Sequence, residues 1–332
     1  MKRIPYSPPF ISPRPINEKR PLWSVMIPVY NCGIYIPQVI QSVLSQDMGE
    51  EKMQIEVIDD ASTDVDVETL VKDIGKGRIK YYRQVENVGS LRNFETCINR
   101  SKGKLVHLLH GDDRILKGFY QKMENLFEQY PQAGAAFCNY VFINEKGEVC
   151  GRRPPEEKKE GILNNWLIRI AEKQRIQFSA MVVRRKVYEQ LGSFYGASYG
   201  EDWEMWVRIA KNYPVAYTPE VLAEYRGHTG SLTWKKVNSG QIFPDLLQVI
   251  KNINKHIPEK GREKVTNRTN KHCAHLFVGY AIRICKEKHG FSNAQVLIQQ
   301  ALTFDKSPHL LLRIGKIYLR ILMHKVSKNF WV

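Results

Sequence analysis

Residues 23–44 read WSVMIPVYNCGIYIPQVIQSVL, an apolar run followed by a short polar loop and a second apolar pattern. The first run, WSVMIPV (23–29), has the length and the β-branched and aromatic content of a buried strand. In the second pattern the apolar residues recur with helical spacing, at Ile36, Val39, Ile40, Val43 and Leu44. The stretch therefore predicts a strand, a loop and a helix, in that order.

The same alternation continues along the chain. Four further strands are predicted at QIEVI (54–58), IKYYRQ (79–84), KLVHLL (104–109) and GAAFCNYVFI (134–143). Apolar residues with helical spacing separate the last two, between Leu116 and Phe127. Alternation of this kind predicts an α/β fold with an open, mostly parallel twisted sheet flanked by helices, and its ligand site lies outside the carboxyl ends of the strands.

Polar loops follow the first four predicted strands, where such a site is expected: VYNCG, DDASTD, VENVGSLRNF and HGDD. Neither GxxxxGKS/T nor GxGxxG follows a strand, so no glycine loop explains phosphate binding. An anionic nucleotide would need a divalent cation held by carboxylates, and Asp112 with Asp113 is a candidate half of that site. The same acids could instead cap a helix that starts near Lys117, and the residues alone leave both interpretations open.

The composition is that of an ordinary soluble protein with a sizeable core, since 43% of the 332 residues are hydrophobic. Six prolines up to residue 21 prevent a continuous helix and predict an extended N-terminal arm over 1–21, without an apolar run of signal-peptide length. The six cysteines are far apart and form no CxxC pair. This pattern favours reduced thiols in a cytoplasmic protein over a disulfide framework or a zinc site.

Four segments follow one another in an order that is specific although each is short: SVMIPVYNCGIYIPQVIQSVLSQ, IEVIDDASTD, ENVGSLRNFETCINRSKGKLVHLLHGDD and GEDWEMWVRIA. In this order they resemble the family 2 glycosyltransferases, which have the GT-A fold. The resemblance implies inverting transfer of a sugar from a nucleotide-diphospho-sugar, expected to be a UDP-sugar, to an acceptor hydroxyl in glycan or cell-surface polysaccharide biosynthesis. It also predicts a catalytic domain over 22–234 and a basic C-terminal region over 235–332.

The resemblance implies that these polar loops bind the donor. Asp59 and Asp60 match an acidic pair of which one contacts the nucleotide base, and Asp60 is preferred. A carboxylate that accepts the imide N–H would select uracil over cytosine, which lacks that donor. An Asx-type turn would account for the same acids and is compatible with donor binding. The other residues assigned to donor binding are Pro28, Val29, Tyr30, Asn31, Asn87, Arg92, Gly111 and Asp113.

Asp112 matches the last acid of the family's metal-binding DxD motif, which implies that it binds Mn2+ or Mg2+. The first acid of the motif is replaced by His110, a departure from the family pattern. Imidazole suits Mn2+ better than Mg2+, so His110 is a candidate ligand, although it could equally do nothing but pack. His228, in EYRGHTGSLT, matches a family histidine that reaches the diphosphate or the metal, and is a further candidate.

Glu201 and Asp202 begin the segment EDWEMWVRIAKN, whose apolar residues have the spacing of an amphipathic helix. Acids in the first turn also stabilise a helix through its dipole, by about 0.3–1 kcal/mol, so the residues alone assign them no catalytic role. The resemblance implies that the acid before the aromatic residue is the general base. Asp202 is thus the predicted base, with Glu201 as the second candidate.

The basic charge lies mainly near the C-terminus, because residues 241–332 contain 16 Lys or Arg against 5 Asp or Glu. Residues 306–332 hold six of these basic residues and no acid. On a helical wheel, one side of this segment collects Leu311, Leu312, Tyr318, Leu319, Leu322, Met323 and Val326. Such a helix suits an anionic membrane surface, but packing on the catalytic domain explains it equally well. The protein is therefore expected to be cytoplasmic, and at most peripheral at the inner face of the membrane.

Two other classes of function fit parts of the sequence. A nucleic-acid-binding module would use the basic tail, but few aromatic residues lie among its basic ones, and no nucleic-acid partner is expected. A metal-dependent nucleotidyltransferase usually carries a glycine-rich loop with a basic residue after its first strand, where this chain has VYNCGIY. Sugar transfer is therefore preferred, with a nucleotide-diphospho-sugar donor, a glycan or lipid-linked acceptor and a divalent cation.

Overall fold

The computed structural model describes residues 2–15, 17–286 and 291–329, with the backbone alone at 286, 291 and 320–329. The predicted helix break at Gly290 and the last three residues lie outside the described residues. The chain forms two compact units, one made of residues up to Ile170 with Arg175–His228, the other of Ala171–Gln174 with the chain from Thr229. The predicted domain boundaries at 22 and 235 stay predictions.

All described strands belong to the first unit. They are β1 (Trp23–Val29), β2 (Met53–Asp59), β3 (Lys80–Arg83), β4 (Leu105–Leu108), β5 (Arg114–Ile115), β6 (Ala135–Ile143), β7 (Val149–Arg152), β8 (Gly161–Ile162), β9 (Met181–Arg184) and β10 (Val215–Arg226). The helices that begin in this unit are α1 (Ile36–Leu44), α2 (Val67–Gly75), α3 (Ser90–Arg100), α4 (Phe119–Gln129), α5 (Trp166–Glu172), α6 (Arg185–Leu191) and α7 (Glu201–Asn212).

These strands pair in one mixed sheet with the order β3-β2-β1-β4-β9-β6-β10-β5, and β7 and β8 add to β6 and β10. β1 runs parallel to β2 and β4, and β2 runs parallel to β3. β9 is antiparallel to both β4 and β6, while β6 and β10 are parallel. Six strands therefore point the same way, and their carboxyl ends meet at one edge. The predicted open, mostly parallel sheet flanked by helices is confirmed.

β1 is the buried centre of the parallel half of the sheet. All seven of its residues are buried, and its bounds coincide with the predicted strand 23–29. α1 covers it with the helical stripe predicted from the sequence, of which Ile36, Val39, Ile40 and Val43 are buried. Because the helix follows the strand after only six residues, its apolar face returns directly onto the sheet.

The proline-rich N-terminal residues lie along the first unit as an extended segment. The carbonyls of Pro5 and Pro9 accept hydrogen bonds from the amides of Gly196 and Ser193, each at 2.9 Å. Farther on, Ile11 is completely buried. Backbone hydrogen bonds and an apolar anchor therefore fix a segment that forms no regular element of its own.

The second unit is helical, as expected for the C-terminal region: α8 (Leu232–Ser239), α9 (Ile242–Asn254), α10 (Glu259–Lys286), α11 (Phe291–Phe304) and α12 (Pro308–Asn329). In α12 the buried residues are Leu310, Ile314 and Ile317. The side predicted to be apolar faces solvent over its described length, since Leu312 and Leu319 are 70% and 60% exposed. None of the described helices combines the length and apolarity needed to cross a membrane.

A glycine between α3 and β4 offers a test of how closely β1 is packed. A Cβ atom at Gly103 would lie 2.4 Å from the amide nitrogen of Ser24, on β1. Gly103→Ala should lower the free energy of unfolding by about 2 kcal/mol, because the backbone of β1 would have to move. Gly279→Ala is the control, because a Cβ atom at this helical glycine would meet no neighbouring atom within 4 Å outside its own helix backbone. It should raise the free energy of unfolding by about 0.5–1 kcal/mol. Urea unfolding followed by circular dichroism measures both, and an unchanged Gly103→Ala midpoint would contradict the packing argument.

Candidate active site at the carboxyl edge of the sheet

Hydrogen bonds join the loops after β1, β2 and β4. The amide of Asp60 donates to the Val29 carbonyl at 2.8 Å, and the amide of Gly111 donates to the Pro28 carbonyl at 3.1 Å. The side chain of Asn31, whose φ is 47°, accepts from an amide of the loop after β2 at 2.8 Å. Three loops predicted to bind the donor therefore meet at the end of β1.

The four residues predicted to bind the donor at the end of β1 differ in what they can offer a ligand. The side chains of Pro28 and Val29 are buried in the sheet. Their carbonyls accept the hydrogen bonds from Gly111 and Asp60, so these two residues join the loops. Tyr30 is 46% exposed, and its ring is available to a ligand. Asn31 is exposed but already links two loops through its amide oxygen.

Asp59 is occupied within the protein. One carboxylate oxygen accepts from the Ser62 amide at 2.9 Å. The other accepts from the Tyr81 hydroxyl at 2.8 Å and from the guanidinium of Arg83. With both oxygens engaged and the side chain fully buried, Asp59 holds the loop in shape.

Asp60 organises the next loop along the edge. Its two oxygens accept from the amides of Val88 (2.8 Å) and Gly89 (2.9 Å). Burial raises the pKa of its carboxyl, while those amides and the charge of Arg3 oppose the shift. Each oxygen of a carboxylate can accept about two hydrogen bonds, so Asp60 retains capacity for a ligand donor.

Asn87 belongs to this loop, and Arg92 lies in the first turn of α3, which follows it. The Asn87 side chain donates to the Asp60 carbonyl at 3.1 Å. The guanidinium of Arg92 pairs with Glu95 at 2.6 Å and donates to the carbonyl of Lys2 at 2.9 Å. The charge of Arg92 is thus already balanced within the protein.

The HGDD loop crosses the end of β1 at very short range. A Cβ atom at Gly111 would lie 2.8 Å from Cys32 Sγ and 2.9 Å from Val29 Cγ2, so a side chain does not fit there. The next residue, Asp112, is hydrogen-bonded to His228, with Nε2 at 3.0 Å from Oδ2. Because an ionised carboxylate only accepts, the proton lies on the histidine nitrogen.

The electrostatics of the loop separate its two acids. Burial acts to raise the pKa of Asp112, but the hydrogen bond from His228 and the electrostatic influence of the two neighbouring histidines, His110 and His228, outweigh it, so this pKa is lowered. Burial raises the pKa of Asp113 well above its usual range, and the adjacent Asp112 adds to the shift. Asp113 also accepts from the amide of Arg226 at 2.9 Å. Asp112 is therefore the ionised acid of the pair.

His110, Asp112 and Asp113 form a group that fits a divalent cation. One ligand atom from each lies within 4.8 Å of the others. His110 Nε2 is buried and has no hydrogen-bond partner within the described residues. Burial lowers the pKa of His110, which favours the neutral imidazole that binds metals, although Asp112 opposes the shift. One imidazole and two carboxylates suit Mn2+ better than Mg2+.

An aromatic cluster connects this loop to the helix that carries the predicted base. The ring of His110 stacks on Phe94 with centroids 5.1 Å apart and lies 4.3 Å from Phe178. Phe178 in turn contacts Trp206 of α7 at 5.6 Å. Trp206 follows Asp202 by one helical turn, so packed rings fix the start of α7 relative to the HGDD loop.

The first turn of α7 carries buried acids. Gly200, with a φ of 79°, turns the chain into the helix, and Glu201 and Asp202 are only 7% and 9% exposed. The Asp202 carboxylate accepts from the Trp203 amide at 2.7 Å. Burial raises the pKa of the Tyr140 hydroxyl, and the charge of Asp202 raises it further.

Sequence reasoning missed two residues of this edge. Tyr140, on β6, accepts a hydrogen bond from Arg153 at 2.6 Å and carries no motif that could have revealed it. Arg226 donates from its guanidinium to the Asp112 carbonyl at 2.7 Å and is buried. Its position two residues before His228, in YRGH, was a signal that could have found it.

A family model described as glycosyl transferase family 2 matches residues 24–192, just over half of the chain. The chain therefore belongs to glycosyl transferase family 2, and the resemblance found in the sequence is confirmed. The protein is a glycosyltransferase.

Two curated relatives match about two thirds of the chain, and one of them is named a glycosyltransferase. An uncharacterized protein of Mycobacterium tuberculosis (strain CDC 1551 / Oshkosh) is 29% identical over 234 residues, which cover 67% of this chain and 72% of the relative. An uncharacterized glycosyltransferase of Haemophilus influenzae is 28% identical over 64% of this chain and 67% of its own length.

Solved structures share the fold. Residues 1–349 of S. aureus TarS, in complex with UDP-GlcNAc, align with a TM-score of 0.64 and 15% identity over 85% of this chain and 80% of that chain. The mannosyltransferase PcManGT from Pyrobaculum calidifontis, in complex with GDP-Man and Mn2+, aligns with a TM-score of 0.58 and 16% identity over 98% and 91%. At this level of identity the likeness confirms the GT-A fold.

The His-Asp-Asp group leads to a direct binding test. Asp112→Asn removes its ionised carboxylate and should weaken Mn2+ binding by about tenfold or more. Asp73→Asn, at an exposed acid of α2, is the matched control and should leave the affinity unchanged. Titration followed by the electron paramagnetic resonance signal of free Mn2+ measures both, and equal affinities for the two variants would remove Asp112 from the site.

Proposed function

We propose that this glycosyltransferase moves a sugar, with inversion, from a nucleotide-diphospho-sugar to a hydroxyl of a glycan or lipid-linked acceptor. The observation that supports this most is the pairing of two acidic features at one edge of the sheet. The His-Asp-Asp group follows β4, the buried acids begin α7, and His110, Phe178 and Trp206 connect them. The family match favours this function over nucleotidyl transfer or nucleic-acid binding.

A UDP-sugar is the preferred donor. Asp60 retains acceptor capacity, and its amide binds the carbonyl of Val29, the residue before the exposed Tyr30. An acceptor and an exposed ring in the same joined loops suit a base with an imide N–H. One structural neighbour was solved with UDP-GlcNAc and another with GDP-Man, so both nucleotides are compatible with the fold. The sugar itself is left to experiment.

Asp112 would hold a divalent cation, with His110 and Asp113 as further ligands. Such a cation supplies positive charge to stabilise a departing diphosphate. His228 orients Asp112 through its hydrogen bond and keeps it ionised. The chain's own contribution is thus a carboxylate that is charged and fixed in direction.

Asp202 is the proposed general base. Attack of the acceptor oxygen on the anomeric carbon forms the new glycosidic bond while the bond to the diphosphate breaks on the opposite face. The hydroxyl proton passes to the Asp202 carboxylate. General-base catalysis of this kind contributes about 100- to 10,000-fold to the rate. Glu201 is the second candidate.

Replacement of the base separates chemistry from binding. Asp202→Asn keeps the size of the side chain and should lower kcat about 100-fold or more while the donor Kd changes less than twofold. Glu201→Gln is the matched variant and should retain most of kcat. Transfer is measured with the donor and acceptor found by screening, and nuclear magnetic resonance of the product tests inversion. Wild-type kcat in Asp202→Asn, or loss confined to Glu201→Gln, would reassign the base.

We also propose that the exposed side of α12 docks on an anionic lipid bilayer, near a lipid-linked acceptor. Leu311, Leu312 and Leu319 are 48%, 70% and 60% exposed, and Lys316, which is also exposed, lies between Leu312 and Leu319 in the sequence. Exposed leucines flanked by basic residues, in a segment that has no acid after Asp305, complement an anionic surface. This surface would make the protein peripheral at the cytoplasmic face in cell-surface polysaccharide biosynthesis.

Vesicle binding tests this surface. Leu312→Glu with Leu319→Glu should reduce co-sedimentation with vesicles of mixed phosphatidylglycerol and phosphatidylcholine about tenfold, because it removes apolar area and adds like charge. Val149→Glu is the control, since Val149 is a 48% exposed apolar residue of β7. Equal binding by the double variant and the control, or equal binding of the parent to phosphatidylcholine alone, would contradict anionic docking.

A further inference from the structure

The N-terminal residues of the chain lie beside the loop after β3, one of the loops predicted to bind the donor. Hydrogen bonds from Gly196 and Ser193 fix the backbone at Pro5 and Pro9. From this anchor the chain extends so that the carbonyl of Lys2 accepts from Arg92 at 2.9 Å. The N-terminal segment is therefore held at one end by residues near 193–196 and at the other by α3. This places Arg3 at the loop after β3.

Arg3 lies directly on that loop. Its guanidinium donates to the side-chain oxygen of Asn87. Its Nε would be 3.0 Å from a Cβ atom on Gly89, so the side chain covers the glycine closely. Its charge also acts on the Asp60 carboxyl, which accepts from the Gly89 amide. Arg3 thus contacts two residues of the loop after β3 and acts through its charge on Asp60, which holds that loop from the end of β2.

The two arginines at this loop differ in whether their charge is balanced. Arg92 forms an ion pair with Glu95 at 2.6 Å, and both side chains are largely buried. Arg3 is exposed, and no carboxylate of the described residues lies within ion-pair distance of it. Its hydrogen-bond partner, Asn87, is a neutral amide. Of these two arginines, Arg3 is therefore the one whose positive charge is still available to an anionic ligand.

A cavity of about 580 Å³ extends from this position along β3 and α3 as far as Arg100. Arg3, Asn87, Val88 and Arg92 line it, together with the acids Glu86 and Glu95. Glu95 is neutralised by Arg92, so its charge does not oppose an anion as strongly as its position suggests. The space is large enough for part of a nucleotide.

We infer that Arg3 is a donor-binding residue, supplied by the N-terminal segment, which contacts the diphosphate of the nucleotide. The inference rests on the proposed function. Arg3 would take the role that the sequence assigned to Arg92, because an unpaired guanidinium can donate two parallel hydrogen bonds to phosphate oxygens. Asn87 holds the guanidinium in place, and Gly89 leaves room for it.

Calorimetry with nucleotides and nucleosides tests the inference in the full-length protein. Arg3→Gln should weaken the binding of UDP about tenfold in the presence of Mn2+, whereas Arg3→Lys, which keeps the charge without the forked geometry, should weaken it less. Uridine, which lacks phosphate, should bind both variants as it binds the parent. GDP and guanosine replace this pair if the parent prefers them.

Lys2→Gln is the matched control. It removes the same charge one residue away, where the ammonium donates to the Tyr6 hydroxyl at 2.7 Å, and it should leave the Kd of UDP within twofold of the parent value. Equal UDP binding by Arg3→Gln and the parent would overturn the role of Arg3 and leave the proposed function intact. Tighter binding would overturn it too, since the segment would then obstruct the site. A parent protein that binds neither diphosphate would instead overturn the proposed function.

Discussion

The passage of the HGDD loop over the end of β1 is the constraint on which the candidate site depends. Gly111 donates to the Pro28 carbonyl while a Cβ atom at its position would lie 2.8 Å from Cys32 Sγ. Only the absence of a side chain permits this approach, and the approach brings Asp112 to His228. A larger residue at 111 would displace both acids from the partners that set their charge. The end of the buried β1 therefore fixes the positions of the loops that form this edge of the sheet.

A second consequence is that the fold tolerates two adjacent acids at the end of a buried strand. Burial of carboxylates is costly unless hydrogen bonds or opposite charges compensate. Asp112 has His228, and Arg226 holds both residues: its guanidinium donates to the backbone carbonyl of Asp112, and its amide donates to the side-chain carboxyl of Asp113. Arg226 also lies over the ring of Tyr35, 4.6 Å from its centroid. The YRGH segment at the end of β10 thus supplies the positive charge that the HGDD loop requires.

Local patterns were sufficient for the fold but only partly for the site. Periodicity predicted the seven residues of β1 and the buried stripe of α1, because the apolar residues of both are the ones that pack in the same sheet core. The environment of Arg92 could be predicted only in part: Glu95 lies three residues farther along the same helix, but the carbonyl of Lys2 reaches Arg92 only after the N-terminal segment has packed. The wheel of α12 placed its apolar side at residues such as Leu312 and Leu319, which the structure leaves exposed. Periodicity could not tell that Leu310, Ile314 and Ile317 are the buried residues among the described side chains. Contacts between distant segments decide these cases.

The replacement of the family's first acid by His110 has a physical explanation in the packing around it. The ring packs against both Phe94 and Phe178, which also contact each other, and Phe178 continues to Trp206. A carboxylate packed against these rings would lose its hydration without a compensating donor, and it would add a second negative charge beside the ionised Asp112. A neutral imidazole packs well against the rings and still directs a nitrogen lone pair or N–H toward the acids. The departure from the motif therefore belongs to the same cluster that holds the start of α7, and with it Asp202, in position relative to the HGDD loop.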